Sequence, residues 1–221
     1  IAQQKLSLIN FQTAYSPEDQ LSIIKSITIE DVKGYWNLIY NNVFIEGSSH
    51  GNISKRDVLK LSSKLRNSFG YKSINKEDCF NSSRLELLPG TQITDVFKSR
   101  VNNSAYVSYY NIGENSPRDR AMAMLIKTYI GQPYYMELRT NQQLGYIVAA
   151  GAYSKDNFSG MYCIVQSDSY TPEDVEKRSK EFLLGSIDGL NNLGKEQFET
   201  FKGAVKEQIN EKSTSISKEA D

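Results

Sequence analysis

Histidine is almost absent from this chain, which has His50 alone among its 221 residues. A catalytic zinc site usually has three protein ligands, most often including two or more histidines. Neither a His-Glu-x-x-His motif nor its inverse can be written with one imidazole, and no nucleophile-elbow pattern surrounds His50. The sequence therefore predicts that this chain alone is neither a metallopeptidase nor a Ser-His-Asp hydrolase.

Cysteines and long apolar runs are also scarce. Cys79 and Cys163 are too few for a disulfide framework, so two free thiols are expected, although the two could pair. No stretch approaches about 18 consecutive apolar residues, so no membrane span is expected. The N-terminus has no basic region followed by an apolar segment, and both ends look cut from a longer protein. The sequence therefore leaves the compartment open: cytoplasmic, periplasmic and secreted locations all remain possible.

The charge balance excludes a further class. Lys and Arg number 26, Asp and Glu number 26, and the formal net charge is zero. A globally basic nucleic-acid-binding surface is therefore disfavoured.

Helical periodicity predicts helices over residues 17–25 and 28–43 and a third helix capped by Ser54. The apolar face of the second helix is expected to be core; it comprises Val32, Tyr35, Trp36, Ile39, Tyr40 and Val43. The third helix is expected to bury Val58, Leu59, Leu61 and Leu65. Residues 43–48 form a candidate strand before the turn His50-Gly51-Asn52, where Gly51 is expected at positive φ.

The second half alternates strands and helices, which predicts an α+β fold with a sheet covered by helices on one face. Candidate strands flank the turn Pro89-Gly90, at 84–89 and 93–98, and three more cover 105–110, 144–152 and 160–166. Helices are expected to begin at Pro117, after Thr171 and after Gly194. Gly131 and Pro133 are expected to interrupt the helix that starts at Pro117.

The segment Tyr134–Val148 is distinct, since it passes from a helix end into a strand through a polar turn. On local physics, Arg139 offsets the helix dipole by about 0.3–1 kcal/mol. Tyr146 on a strand is usually a core or interface residue.

The block Leu138-Arg139-Thr140-x-x-Gln143-Leu144-Gly145-Tyr146-Ile147-Val148 resembles the signature of the pitrilysin/insulinase family of inverted-zincin metallopeptidases. The segment Ile164-Val165-Gln166-Ser167 is similar to the strand that follows that signature. His50-Gly51-Asn52-Ile53-Ser54 resembles a segment late in the third of the four homologous domains of the long members. One departure is Lys212-Ser213, where the family often has Lys-Pro.

This resemblance implies a fold and a role. The fold would be the LuxS/mitochondrial-processing-peptidase-like α+β domain. The zinc and its motif would lie in the N-terminal half of the parent, so this chain would hold neither metal nor catalytic residues. The two halves of the parent would enclose a proteolytic chamber. Arg139 and Tyr146 would reach across this chamber to the active site of the first domain, where they would hold peptide substrate and support the transition state. The partner would be the N-terminal catalytic half of the same polypeptide.

The resemblance also implies a domain division. Residues 1–83 would hold the C-terminal part of the third domain plus a linker, and residues 84–221 most of the fourth, non-catalytic domain. An alternative of another class remains open: a catalytically inactive scaffold or protein-binding module of the same fold. An inverted zinc motif upstream in the parent would favour the peptidase.

Overall fold

The computed structural model describes residues 14–69, 72–79, 87–98, 101–155 and 158–217. These residues divide into two compact units, one within residues 15–82 and one within residues 83–211, and residues 212–217 belong to the first. We call them the N-terminal unit and the C-terminal unit. The predicted domain border at residue 83 falls outside the described residues, so the domain assignment stays a prediction.

The N-terminal unit contains three helices: α1 (Pro17–Ile24), α2 (Ile29–Asn41) and α3 (Lys55–Phe69). Each begins at a side-chain cap. The backbone N–H of Asp31 donates to Thr28 Oγ1 at 3.2 Å, and that of Asp57 donates to Ser54 Oγ at 3.2 Å. Such caps satisfy amides that the first helical turn leaves unpaired. The caps predicted at Thr28 and Ser54 are therefore confirmed.

The strand predicted at residues 43–48 is wrong in extent. Only Asn42–Val43 (β1) is extended and paired, in parallel with Lys72–Ser73 (β2), and residues 44–50 have no regular structure. A strand persists only where a neighbour accepts and donates its backbone bonds, and β2 is two residues long. The turn that follows has Gly51 at φ 120°, as predicted.

The prediction that the apolar faces of α2 and α3 are core is also wrong for this chain. Tyr35 is 64% exposed, Val32 is 50% exposed, and Leu59 on α3 is 57% exposed. Periodicity identifies which residues share a face of a helix, but it carries no information about what covers that face.

The C-terminal unit is built on a three-stranded antiparallel sheet in the order β3 (Ser104–Glu114), β5 (Phe158–Ser167), β4 (Ile147–Lys155). Its helices are α4 (Pro117–Tyr135), a π-helix (Met136–Asn141), α5 (Pro172–Asn191) and α6 (Lys195–Asn210). On β5, alternate residues from Met161 to Ser167 are buried, and those between them are partly exposed. The helices thus pack on one face of the sheet, and the predicted α+β fold class is confirmed.

Three details of this unit differ from the sequence predictions. Helix α4 runs through Gly131 and Pro133 without interruption, and the departure from α-helical geometry comes later, at the π-helix. Strand β4 begins at Ile147 instead of residue 144. Residues 93–98 form no strand, and neither do residues 87–89, while residues 84–86 lie outside the described residues.

The core of this unit joins the helices to the sheet. Tyr134, Leu138, Leu144, Val165 and Val175 are all fully buried in it. Tyr134, Leu138 and Leu144 belong to the segment singled out by the sequence, so the core directly supports that segment.

Candidate functional site

The segment Leu138–Val148 forms a turn that links the π-helix to β4. The backbone N–H of Gln142 donates to Glu137 O at 2.9 Å, and that of Leu144 donates to Leu138 O at 2.9 Å. Leu138 and Leu144 are both fully buried. Two buried side chains and two backbone hydrogen bonds therefore hold the turn against the core.

Gln143 lies at the apex of this turn with φ 53°, which makes it the single non-glycine residue at positive φ in the part of the chain that the structure describes. This left-handed conformation costs an L-residue about 1–2 kcal/mol. It turns the chain back so that Leu144 enters the core. Sequence reasoning missed it because glutamine is not a residue that usually signals positive φ.

Gly145 allows the turn to touch the neighbouring strand. A β-carbon at this position would lie 1.8 Å from the carbonyl oxygen of Gln166 and 3.0 Å from Ser167 Cα. The backbone of the turn thus approaches β5 more closely than any side chain would permit.

Arg139 and Tyr146 come together on the two sides of the turn. The guanidinium carbon of Arg139 lies 5.9 Å from the centroid of the Tyr146 ring, a separation at which a cation attracts an aromatic face. Tyr146 is 85% exposed and Arg139 is half-buried. The pair therefore presents a guanidinium fork and a phenolic hydroxyl to solvent, two groups that donate hydrogen bonds to carbonyl or carboxylate oxygens.

A polar network joins residues on both sides of Arg139 along the chain. Glu137 accepts hydrogen bonds from Gln142 Nε2 at 2.9 Å and from Asn141 Nδ2 at 2.7 Å. These two bonds, the one from Gln142 first, lower the pKa of the Glu137 carboxyl. On the other side, Arg178 Nη1 of α5 donates to Gln142 Oε1 at 3.1 Å. Sequence reasoning missed Glu137, Gln142 and Arg178, and no local signal links Gln142 to a residue 36 positions away.

The buried polar groups below the turn are fixed and neutral. The hydroxyls of Tyr134 and Ser179 are 2.7 Å apart, and burial raises the pKa of Tyr134. The Tyr134 ring also packs edge-to-face on Phe182, with centroids 5.3 Å apart. Burial likewise raises the pKa of the Cys163 thiol, to about 12. These groups act as structure, because none of them ionises near neutral pH.

The two thiols should accordingly differ in reactivity. Cys163 is fully buried, whereas Cys79 is half-buried, and the thiolate is the reactive species. We expect a maleimide to label Cys79 in the folded protein, to leave Cys163 unlabelled, and to label both in denaturant. Peptide mass spectrometry identifies the labelled site. Equal labelling rates for both cysteines in the folded protein would contradict the burial of Cys163.

Neither a candidate metal site nor a candidate membrane span is found in the described ranges. His50 is exposed, and no three His, Cys, Asp or Glu side chains in those ranges are placed to share a metal ion. No helix among the described residues is both long enough and apolar enough to cross a bilayer.

Comparison with known proteins shows what this chain is similar to. The profile of the family described as PQQ synthase PqqF-like, C-terminal lobe domain 4, matches residues 125–221. The chain is 28% identical over 190 residues to an insulin-degrading enzyme homolog of Dictyostelium discoideum, covering 84% of this chain and 20% of that protein. It is 25% identical over 209 residues to a nardilysin-like protein of Arabidopsis thaliana, covering 91% and 20% respectively. These matches support the resemblance of the chain to the pitrilysin/insulinase family.

The fold agrees with that resemblance. The crystal structure of pitrilysin matches 93% of this chain with a TM-score of 0.74 at 22% identity, and the match spans 22% of the pitrilysin chain. This chain therefore covers about a fifth of the length of its relatives, in the family's C-terminal region. The resemblance predicted from the signature block is confirmed. The roles of Arg139 and Tyr146 remain predictions.

Proposed function

We propose that this chain is a fragment of the C-terminal, zinc-free half of a zinc metalloendopeptidase, where it closes the proteolytic chamber and binds peptide substrate opposite the catalytic domain. On this proposal, residues 1–83 are the end of a third domain and residues 84–221 most of a fourth. The observation that carries it is the exposed Arg139–Tyr146 pair on a turn held by the core.

The chemistry of the pair suits a substrate-holding role. Arg139 offers planar donors for a peptide carbonyl or a carboxylate. Tyr146 offers a phenolic hydroxyl that can donate a hydrogen bond to a developing oxyanion. The catalytic zinc and its ligands belong to the other half of the polypeptide. Neither residue performs hydrolysis by itself.

The isolated chain is therefore expected to hold no stoichiometric zinc and to hydrolyse no peptide, because its one histidine supplies too few ligands. Metal analysis of protein purified without chelators, together with a fluorogenic peptide assay, tests both statements. One tightly bound zinc per chain, with hydrolysis that a chelator abolishes, would refute the proposal.

The chain should also associate with the N-terminal half of its polypeptide. The apolar faces of α2 and α3 support this expectation, since Tyr35, Ile39 and Leu59 are each more than 40% exposed and patches of this kind mark interaction sites. Size-exclusion chromatography of the mixed halves should give one joint peak. Separate elution of two folded halves would instead favour an independent scaffold or binding module.

A further inference from the structure

We propose that Arg178, on α5, is a positioning residue for the substrate-holding turn and acts through Gln142 and Glu137. This inference rests on the proposed function of Arg139 and Tyr146. The three side chains form a chain of two hydrogen bonds, which we call the relay. The relay connects α5, which packs on the core, to Gln142 and Glu137 at the turn.

The atoms of the relay allow only one direction of hydrogen bonding. Arg178 has donors alone and an ionised Glu137 has acceptors alone. The amide of Gln142 lies between them, accepting from Arg178 Nη1 at 3.1 Å and donating to Glu137 Oε1 at 2.9 Å. Gln142 thus bridges a cation and an anion that do not touch, and both ends of its amide are satisfied by charged partners. Such charge-assisted bonds are stronger than those between neutral groups.

Both ends of the relay are anchored. Arg178 lies between Val175 and Ser179, two fully buried residues of α5, and its guanidinium stacks 4.9 Å from the centroid of the Tyr170 ring. The backbone N–H of Tyr170 in turn donates to the buried Ser167 Oγ at 2.9 Å. The core residues of α5 and the Tyr170 ring just beyond the end of β5 therefore fix the position of the Arg178 guanidinium.

At the other end, the relay is attached to the turn at two places, since Glu137 lies in the π-helix and Gln142 directly follows it. Glu137 precedes Arg139 by two residues, and Gln142 immediately precedes Gln143, which holds the left-handed conformation. Removal of the relay leaves the strained backbone at Gln143 held by the buried Leu138 and Leu144 and by the two backbone bonds. The turn should then sample other conformations, and Tyr146 beyond it should move.

The test compares Arg178→Ala, Gln142→Met and the double variant in the full-length protein. Methionine resembles glutamine in size but removes both amide contacts. Lys177→Ala is the matched control, since Lys177 is the neighbour of Arg178 on α5 and makes an exposed pair with Glu181 at 3.9 Å. Arg178→Lys keeps a cationic donor and should rescue part of the effect.

Hydrogen exchange of the turn and the kcat/KM for peptide hydrolysis should both change in Arg178→Ala. Hydrogen exchange followed by mass spectrometry should show exchange of peptides covering residues 137–148 about tenfold faster in Arg178→Ala, with no change in Lys177→Ala. The kcat/KM for an internally quenched peptide should fall about 10- to 100-fold, the size expected of a misplaced substrate contact. The double variant should be no worse than Gln142→Met, because both changes break one relay.

A double-mutant cycle separates positioning from loss of stability. In a Tyr146→Ala background, Arg178→Ala should cost much less activity than in the parent, since the side chain that it positions is gone. Equal losses in both backgrounds, or unchanged exchange in Arg178→Ala, would overturn the inference and leave the proposed function intact. Should Tyr146→Phe and Arg139→Ala themselves be silent, the proposed function fails, and the exchange data still decide whether the relay holds the turn.

Discussion

Replacement of Gly145 by alanine is expected to damage both stability and activity. The new β-carbon would lie 1.8 Å from Gln166 O and 2.7 Å from Gln166 C. These are backbone atoms of β5, the central strand of the sheet, so no flexible side chain can move aside. Overpacking in a core typically costs 1–3 kcal/mol, and we expect about 3 kcal/mol here because backbone must shift. In a protein of this size that lowers the Tm by about 10 °C.

The same substitution should reduce peptide hydrolysis by the full-length protein about 100-fold. Gly145 directly precedes Tyr146, so a turn that is pushed off β5 carries the phenol with it. A misplacement of about 1 Å at a substrate contact is enough for a loss of that size. Thermal unfolding and steady-state kinetics, measured well below the lowered Tm, separate the two effects.

Gly185→Ala is the matched control for Gly145→Ala. Gly185 lies within α5, and a β-carbon there would meet no heavy atom within 4 Å. Alanine is favoured over glycine inside a helix by up to about 1 kcal/mol, so this variant should be as stable as the parent or slightly more stable. If Gly145→Ala behaved like Gly185→Ala, the close approach of the turn to β5 would be wrong.

Tyr146→Phe is expected to lower kcat about 10²–10³-fold in the full-length protein, while the protein folds normally. The change removes one hydroxyl from a side chain that is 85% exposed, so the core loses no contact. A donor that engages charge only in the transition state acts on kcat, and one such donor contributes about 2.7–4 kcal/mol when fully engaged. A chamber that stays partly solvated would give a smaller loss. The measurement is steady-state kinetics on a short fluorogenic peptide, with thermal melting to check folding.

Two further variants, Tyr135→Phe and Arg139→Ala, are compared with Tyr146→Phe. Tyr135→Phe removes the same hydroxyl from a tyrosine that is 42% exposed at the end of α4, and it should leave the kinetics unchanged. Arg139→Ala should raise KM as well as lower kcat, because the guanidinium would hold the ground-state substrate too. If Tyr146→Phe kept kcat and KM within about twofold of the parent, far short of a lost transition-state donor, Tyr146 would be a structural tyrosine.

Local signals predicted the helix starts well. Thr28 and Ser54 cap the helices assigned to them, and the backbone N–H of Asp174 donates to the predicted cap Thr171 at 3.2 Å. Caps are predictable because donor and acceptor lie three residues apart, so the chain needs no distant partner to form them. The paired strands β4 and β5 were found for a related reason, since their β-branched and aromatic residues favour a half-buried sheet.

The exposure of the N-terminal helices shows that helical periodicity does not predict burial. The spacing of Val32, Tyr35 and Ile39 correctly places them on one face of α2, but all three are at least 42% exposed. Whether a face is buried depends on another segment that packs against it. The spacing of apolar residues within one helix gives no information about that other segment.

The amino-acid sequence by itself determined the helix caps, the α+β class and, through the signature block, the resemblance to the pitrilysin/insulinase family. It also singled out Arg139 and Tyr146. Only the tertiary structure decided that these two lie 5.9 Å apart, that Gln143 takes a left-handed conformation, and that Arg178 reaches Gln142. The physical reason is range: a cap or a period is set by neighbours along the chain, whereas the turn takes its shape from a helix and a strand distant in sequence that the core brings beside it.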